Sequence, residues 1–265
     1  EIASCLVGSE MCIRDRLHSA AWMPGTPPTA RRAPIVLFHD SLGSVVLWRD
    51  FPGRLAQATG RQVVAYDRLG FGQSAPSRAQ LERGFIAGET AHFDAVRTAW
   101  NIDAFIAFGH SVGGGMAVEC AAAFGLDCVG LITESAQAFV EDRTIKGIEA
   151  ARIAFADESQ MQRLARYHGD KAPWVVSAWI DTWLAPVFRD WSLAQTLPHV
   201  HCPVLAIHGD HDAYGSARHP ETIVSLSRGE PRRLALLAGC GHVPHREQAD
   251  VVLAMVQDFV GSIAA

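Results

Sequence analysis

Short runs of aliphatic and β-branched residues recur along the chain, and longer stretches with helical spacing separate them. The runs occupy residues 34–38 (PIVLF), 62–66 (QVVAY), 104–108 (AFIAF), 128–133 (CVGLIT), 203–207 (PVLAI) and 233–237 (RLALL). Strands that alternate with helices predict a mostly parallel sheet with helices on both faces, here of six strands. Leu47, Phe51 and Leu55 mark one helix face after the first run. Val252, Met255, Val256, Phe259 and Val260 mark another after the last, with i, i+3, i+4, i+7 spacing. Residues 23–34 (MPGTPPTARRAP) are rich in proline and predict a loop between an edge strand and the first central one.

One interval breaks the rhythm. About sixty residues, 135–196, separate two strands that elsewhere lie some thirty apart, and they carry helical periodicity without a convincing strand. They predict a helical cap inserted into a core formed by residues 17–134 and 197–265. Four of the seven tryptophans, Trp174, Trp179, Trp183 and Trp191, fall inside this cap. Their bulk fits the small core of the cap, and any that face the sheet would instead meet an apolar substrate.

Residues 1–16 stand apart. SCLVGSEMCIRDR (4–16) has neither the basic start nor the small-residue cleavage site of a signal peptide, and shows no clear strand or helix period. MCIRDR (11–16) resembles the translation of a transposase end sequence used in preparing sequencing libraries. That resemblance implies a non-native segment in place of the natural N-terminus.

Composition narrows the function. At 265 residues and 49% hydrophobic, the chain can bury a sizeable core as one domain with an insertion. The formal net charge is -5, and Lys and Arg form no run able to follow a phosphate backbone, so no nucleic-acid partner is expected. No stretch approaches the roughly 18 to 20 consecutive apolar residues of a spanning helix, so no membrane partner is expected either. The six cysteines, at positions 5, 12, 120, 128, 202 and 240, include no CxxC pair, which fits a reducing, cytoplasmic setting. Nothing in the sequence specifies an oligomeric state.

The chemistry centres on GHSVGG (109–114), which follows the third run and precedes the small-residue stretch MAVECAAA (116–123). Strand, GxSxG and helix in that order predict a nucleophile elbow, a turn so tight that the residues two before and two after the serine must lack bulk. Gly109 and Gly113 meet that demand around Ser111. A serine hydroxyl needs a base, and the base needs an orienting acid. HGDHDAYG (208–215), at the carboxyl end of the fifth run, offers Asp212 as the acid, with Asp210 a near rival and Glu134 a more distant one. GCGHVPH (239–245) offers His242 as the base. Backbone donors for an oxyanion are expected at Val112, just after the nucleophile, and in FHDSLGS (38–44). Among the twelve histidines, His199, His201, His208 and His211 cluster in sequence, but density without convergent geometry does not make a metal site, and none is expected.

HDSLGS with Trp48 downstream, DRLGFGQS (67–74), GHSVGG, HGDHD and GCGH, in this order, resemble the α/β-hydrolase superfamily, in its branch of small capped serine hydrolases. The resemblance runs from about residue 34 to the C-terminus. It implies an α/β-hydrolase fold with Ser111, Asp212 and His242 as a triad, and with the amides of Ser41 and Val112 as the oxyanion hole. Asp67, Gly70 and Gly72 match a motif that shapes a loop beside the site. A serine at position 111 separates the chain from similar epoxide hydrolases and haloalkane dehalogenases, which use an aspartate there. The resemblance departs at Asp40, where the superfamily usually has glycine. An acidic side chain there opposes an oxyanion unless it is paired or turned away.

The expected activity is cofactor-free cleavage of a carboxylic ester or related acyl compound through an acyl-enzyme, on an uncharged, apolar small-molecule substrate. Carbon-carbon bond hydrolysis and perhydrolase or haloperoxidase chemistry are the alternatives within this superfamily. A ligand-binding protein without turnover is the alternative outside enzymes.

Overall fold

Each central run is apolar at consecutive positions, so successive side chains point to opposite faces and both faces need cover. In a computed structural model of the chain, which describes residues 9–13, 16–25, 32–77 and 79–263, helices supply that cover. The sheet has eight strands: β1 (Ser9–Ile13), β2 (Leu17–Trp22), β3 (Ile35–Phe38), β4 (Val63–Tyr66), β5 (Phe105–His110), β6 (Cys128–Glu134), β7 (Val204–Gly209) and β8 (Arg232–Leu237). Their spatial order is β1-β2-β4-β3-β5-β6-β7-β8. The six predicted strands, β3 to β8, run parallel, whereas β1 and β2 add on antiparallel.

The helices are α1 (Phe51–Thr59), α2 (Phe85–Trp100), α3 (Val112–Phe124), α4 (Asp142–Ala154), α5 (Glu158–His168), α6 (Ala172–Leu184), α7 (Arg218–Leu226), α8 (Pro244–Glu247) and α9 (Ala249–Ser262). Val36, Phe38, Val64 and Tyr66 turn to one face and pack with α2 and α3 residues such as Phe93 and Met116. Their neighbours Ile35, Leu37, Val63 and Ala65 turn to the other and meet Leu55 of α1 and Val256 and Phe259 of α9. Two cores separated by one sheet result, and burying each such aliphatic or aromatic side chain stabilises by about 1.5–3 kcal/mol.

Between β6 and β7 lie α4, α5 and α6, the helical interval expected over 135–196, and they sit above the carboxyl ends of the strands. Trp183, Phe188 and Trp191 pack on one another there, with Phe188 stacked on Trp191 at 5.5 Å. Trp174 leaves that group and packs edge-on against Phe71 of the core.

One expectation needs correction. The helix expected to carry Leu47, Phe51 and Leu55 on one face begins only at Phe51: Val45–Trp48 forms a 3₁₀ turn, and Arg49, at φ 55°, breaks the path between them. Within residues 1–16, the segment whose resemblance implies a non-native origin, Ser9–Ile13 pairs along the whole of Leu17–Ala21 and takes the sheet edge, which moves β2 inward. A strand that pairs in this way is satisfied by its neighbour's backbone, so it needs no hydrophobic period of its own. The rest of that segment, and residues 26–31 of the proline-rich loop, lie outside the described residues.

At the junction of β5 and α3 the backbones touch. A methyl group on Gly113 would lie 2.1 Å from the carbonyl oxygen of Phe38, and one on Gly109 2.1 Å from that of Gly113. Gly88, on the exposed side of α2, has nothing within 4 Å. Gly113→Ala is therefore expected to cost about 3 kcal/mol or more, while Gly88→Ala gains about 0.5–1 kcal/mol. Chemical denaturation of the two variants checks both signs.

Candidate active site

The strand-to-helix turn places Ser111 at φ 56°, ψ -126°, a conformation an L-residue adopts only under constraint. The constraint is visible: the Ser111 amide donates to the carbonyl of Glu134 at 2.8 Å, and Gly114 N donates back to the Ser111 carbonyl at 2.9 Å. The hydroxyl is thereby presented above the sheet at the end of β5.

Two loops from the carboxyl ends of β7 and β8 meet it. His242 Nε2 lies 3.1 Å from Ser111 Oγ, and His242 Nδ1 lies 2.8 and 2.9 Å from the two oxygens of Asp212. A carboxylate at Nδ1 fixes the proton there and leaves Nε2 free to accept from the serine. Asp212 is buried, which by itself raises a carboxyl group. The hydrogen bond and charge of His242 and the Tyr214 amide, 2.7 Å from Oδ1, outweigh burial and hold Asp212 below its ordinary value. It stands ionised at neutral pH. Neither rival acid reaches the imidazole: Asp210 sits 3.9 Å from the exposed His211, and Glu134 Oε2 is 2.5 Å from Nδ1 of His245.

The loop after β3 closes the floor. Within it, Leu42 N donates to Asp40 Oδ1 at 2.7 Å and Gly43 N to the Asp40 carbonyl at 3.2 Å. The Ser41 amide takes no part in these hydrogen bonds, and Ser41 lines the same cavity as Ser111. Val112 is buried directly behind the serine as the first residue of α3, where helix amides have no intrahelical acceptor. Asp40 does not adopt positive φ. Its Oδ2 turns to His110 Nδ1 at 3.3 Å, while His110 Nε2 donates to the His242 carbonyl at 2.8 Å. Burial alone would raise Asp40, but His110, His39 and the Leu42 amide hold it far below the ordinary range. Burial would lower His110, and Asp40 and Glu134 hold it raised.

DRLGFGQS packs beside this floor. Asp67, fully buried, accepts from Val45 N at 2.6 Å and from Gln73 N at 2.7 Å. Gly72, at φ 44°, lets the chain pass over its carboxylate, which a Cβ would strike at 2.1 Å.

Above lies a cavity of about 380 Å³, within the range of small-molecule sites. Ile148, Leu164 and Trp183 line it from the inserted helices and are buried, and Trp179 and Tyr214 join them. Two of the four inserted tryptophans thus face the cavity, and the others pack within or beneath the helices. The helices are also tied to the acid's own loop. Thr144 Oγ1 donates to the Tyr214 carbonyl at 2.7 Å, Arg143 to the carbonyl of Asp212 at 3.2 Å, and Glu141 accepts from Ser216 N at 2.7 Å.

Neither His199, His201, His208 nor His211 joins a metal-like cluster with the others. Among the described residues, only the ligand atoms of His110, Glu134 and His245 lie within 4.8 Å of one another. Those groups are engaged as buried ion pairs and with the His242 carbonyl, so the arrangement reads as charge compensation beneath the elbow.

Several contributors carried no sequence signal: Gln137, whose Oε1 is 3.5 Å from Ser111 Oγ, and Tyr214, whose ring lies 4.7 Å from that of His242. His110 had one, its place between Gly109 and Ser111, but its pairing with Asp40 needed the fold.

The sequence profile of the Alpha/beta hydrolase family matches residues 35–255. A proline iminopeptidase of Lactobacillus delbrueckii subsp. lactis is 33% identical over 88 residues, and that match covers 33% of this chain and 30% of the relative. Among solved structures, 2-hydroxy-6-oxo-6-phenylhexa-2,4-dienoate hydrolase from Rhodococcus sp. strain RHA1 superposes with a TM-score of 0.80 at 16% identity, over 97% of this chain and 99% of that one. Proline iminopeptidase from Mycobacterium smegmatis gives 0.71 at 20% identity, over 96% and 98%. No helix among the described residues is long and apolar enough to cross a membrane.

The Asp40–His110 pair has a pH signature. With Asp40 below its ordinary value, its contribution is present above about pH 4 and is lost on acidification. With His110 raised, its contribution is complete below about pH 6.5 and is lost as pH rises through the folded value. Asp40→Asn is expected to cost about 1–3 kcal/mol near pH 5.5 and less at either extreme. Urea denaturation across that range checks it, and a cost independent of pH would contradict it.

Proposed function

We propose that this chain, which belongs to the Alpha/beta hydrolase family, is a cofactor-free serine hydrolase that cleaves a carboxylic ester or related acyl bond. The observation that carries this is the continuous line from Ser111 Oγ through His242 to Asp212, with contacts of 3.1 and 2.8 Å. Ser111 attacks the acyl carbonyl while His242 Nε2 takes its proton, and ionised Asp212 stabilises the imidazolium that forms. The amides of Ser41 and Val112 hold the tetrahedral oxyanion. His242 then protonates the leaving oxygen, and an acyl-Ser111 ester remains. Water, deprotonated by the same imidazole, attacks that ester and releases the acid.

Asp212 is the triad acid on this account, because Asp210 and Glu134 serve other partners. Residues 135–196 act as the cap, and the apolar wall of Ile148, Leu164, Trp179 and Trp183 takes an apolar acyl portion. Burial there excludes water from the acyl-enzyme's alkyl or aryl part and strengthens each polar contact at the carbonyl.

A fluorophosphonate probe is expected to label Ser111 in the intact protein, with labelling lost in Ser111→Ala by intact-mass measurement. Ser111→Ala and His242→Ala should each lower ester kcat/KM by about 10³-fold or more. Asp212→Asn should lose far more than Asp210→Asn. A panel of nitrophenyl esters, a vinylogous diketone and an N-terminal prolyl amide, ranked by kcat/KM, separates ester, carbon-carbon and peptide hydrolysis. Tight ligand binding with no turnover by the parent protein would favour a non-catalytic role instead.

A further inference from the structure

The cavity above Ser111 is not uniformly apolar. Its buried wall, Ile148, Leu164 and Trp183, gives way outward to Arg163, Tyr167 and Arg246, all exposed. Gln160, Arg163, Leu164 and Tyr167 repeat at i, i+3, i+4, i+7 along α5, so one helical stripe faces the cavity and Arg163 stands within it. Arg246 approaches from the other side, four residues beyond His242 on α8, and its guanidinium is tethered by donating to the Leu47 carbonyl.

The acids that would ordinarily neutralise these arginines are used elsewhere. Glu247, next to Arg246, accepts from the amides of Gly241 and Val243 at 2.7 and 2.9 Å. Asp157 caps α5 through Ser159 N at 2.8 Å, and Glu158 accepts from Gln162. Asp40, the only acidic residue lining the cavity among the described residues, is engaged by His110 and Leu42 N. Among the described residues, no ion pair or hydrogen bond holds the Arg163 head, and no carboxylate pairs with Arg246. Asp157 acts on Arg163, and Asp40 and Glu134 on Arg246, only through space, so two guanidiniums, whose planar donor forks match carboxylate and phosphate oxygens, face one opening without a carboxylate bonded to either.

We propose that the substrate carries an oxyacid anion, a carboxylate or a phosphate, and that Arg163 and Arg246 bind it at the cavity mouth while the apolar portion occupies the interior. This rests on the serine-hydrolase assignment of the same site. It replaces the expectation of a wholly uncharged substrate with an amphipathic one. The anion is held away from the Ser111 hydroxyl, so binding it at the mouth sets orientation without placing negative charge beside the developing oxyanion.

The test compares 4-acyloxybenzoate with its methyl ester, the same acyl group and ring differing in one charge, and adds 4-acyloxyphenyl phosphate. The reading is the ratio of anionic to neutral kcat/KM in the parent protein, Arg163→Gln, Arg246→Gln and Arg163→Lys. The expected parent ratio is about tenfold or more in favour of an anion at low salt, falling at high salt as exposed charges are screened. Each Gln variant should cut the ratio about tenfold through KM, and Arg163→Lys should keep part of it, because the charge survives and the fork does not. The faster of the two anionic esters identifies carboxylate or phosphate as the group recognised. A parent ratio at or below one, or a ratio unmoved by both Gln variants, would overturn the proposal. If no ester turns over and Ser111 takes no probe, the hydrolase assignment fails by itself. The anion site is then read by calorimetric titration of 4-acyloxybenzoate: binding lost in the Gln variants supports it, and no binding to the parent overturns it.

Discussion

The close approach of three backbone segments beneath Ser111 is the constraint on which the site depends. Holding an L-serine at φ 56° costs about 1–3 kcal/mol, so the turn persists only because its surroundings leave no alternative. Phe38 at the end of β3 leaves no room for a Cβ at 113, the Gly113 backbone at the start of α3 leaves none at 109 on β5, and the Glu134 carbonyl fixes the Ser111 amide from β6. Three adjacent parallel strands thus converge on one residue. Because β7 and β8 continue the same sheet in the same direction, the loops after them emerge at the same end and bring Asp212 and His242 to the serine.

The inserted helices are part of the same mechanical unit. Glu141, Arg143 and Thr144 bond to the loop 212–216, and a methyl group on Gly147 would lie 2.8 Å from the Tyr214 ring. Tyr214 in turn donates its amide to Asp212 and lays its ring by His242. A displacement of α4 that broke these bonds would release the acid from its position. The element that forms the cavity roof and the element that orients the base are therefore held by one set of contacts.

How far the sequence alone carries depends on what kind of physics fixes each feature. The central strands were legible because burial on both faces demands unbroken apolar runs, and Ser111 was legible because a backbone clash demands glycine at two fixed offsets. Choosing between Asp210 and Asp212 was not, since they lie two residues apart on one loop and only its turn decides which carboxylate faces inward. Leu47, Phe51 and Leu55 have the spacing of one helix, but the left-handed Arg49 between them is a local backbone choice that hydrophobic spacing does not record. β1 is held by backbone pairing to β2, which imposes little on side chains. Arg163 and Arg246 look like ordinary surface charges along the sequence, and only the fold brings α5 and α8 to the lining of one cavity.

Asp40 shows how the molecule accommodates a charge at a sensitive place. A carboxylate beside the proposed oxyanion hole would weaken the stabilisation the amides provide, by an amount that grows as water is excluded. Here the negative charge is drawn toward His110, and Leu42 N donates to its other oxygen. His110 is itself set against Glu134 and the His242 carbonyl, and Glu134 against His245. Two acids and two imidazoles thus form a compensated layer beneath the elbow. The layer also bonds to the backbone of His242, so the group that neutralises Asp40 helps hold the base in place. Substituting Asp40 by glycine would remove the opposing charge but leave His110 buried beside one acid rather than two. The expected gain at the oxyanion is offset by looser placement of the imidazole that makes it.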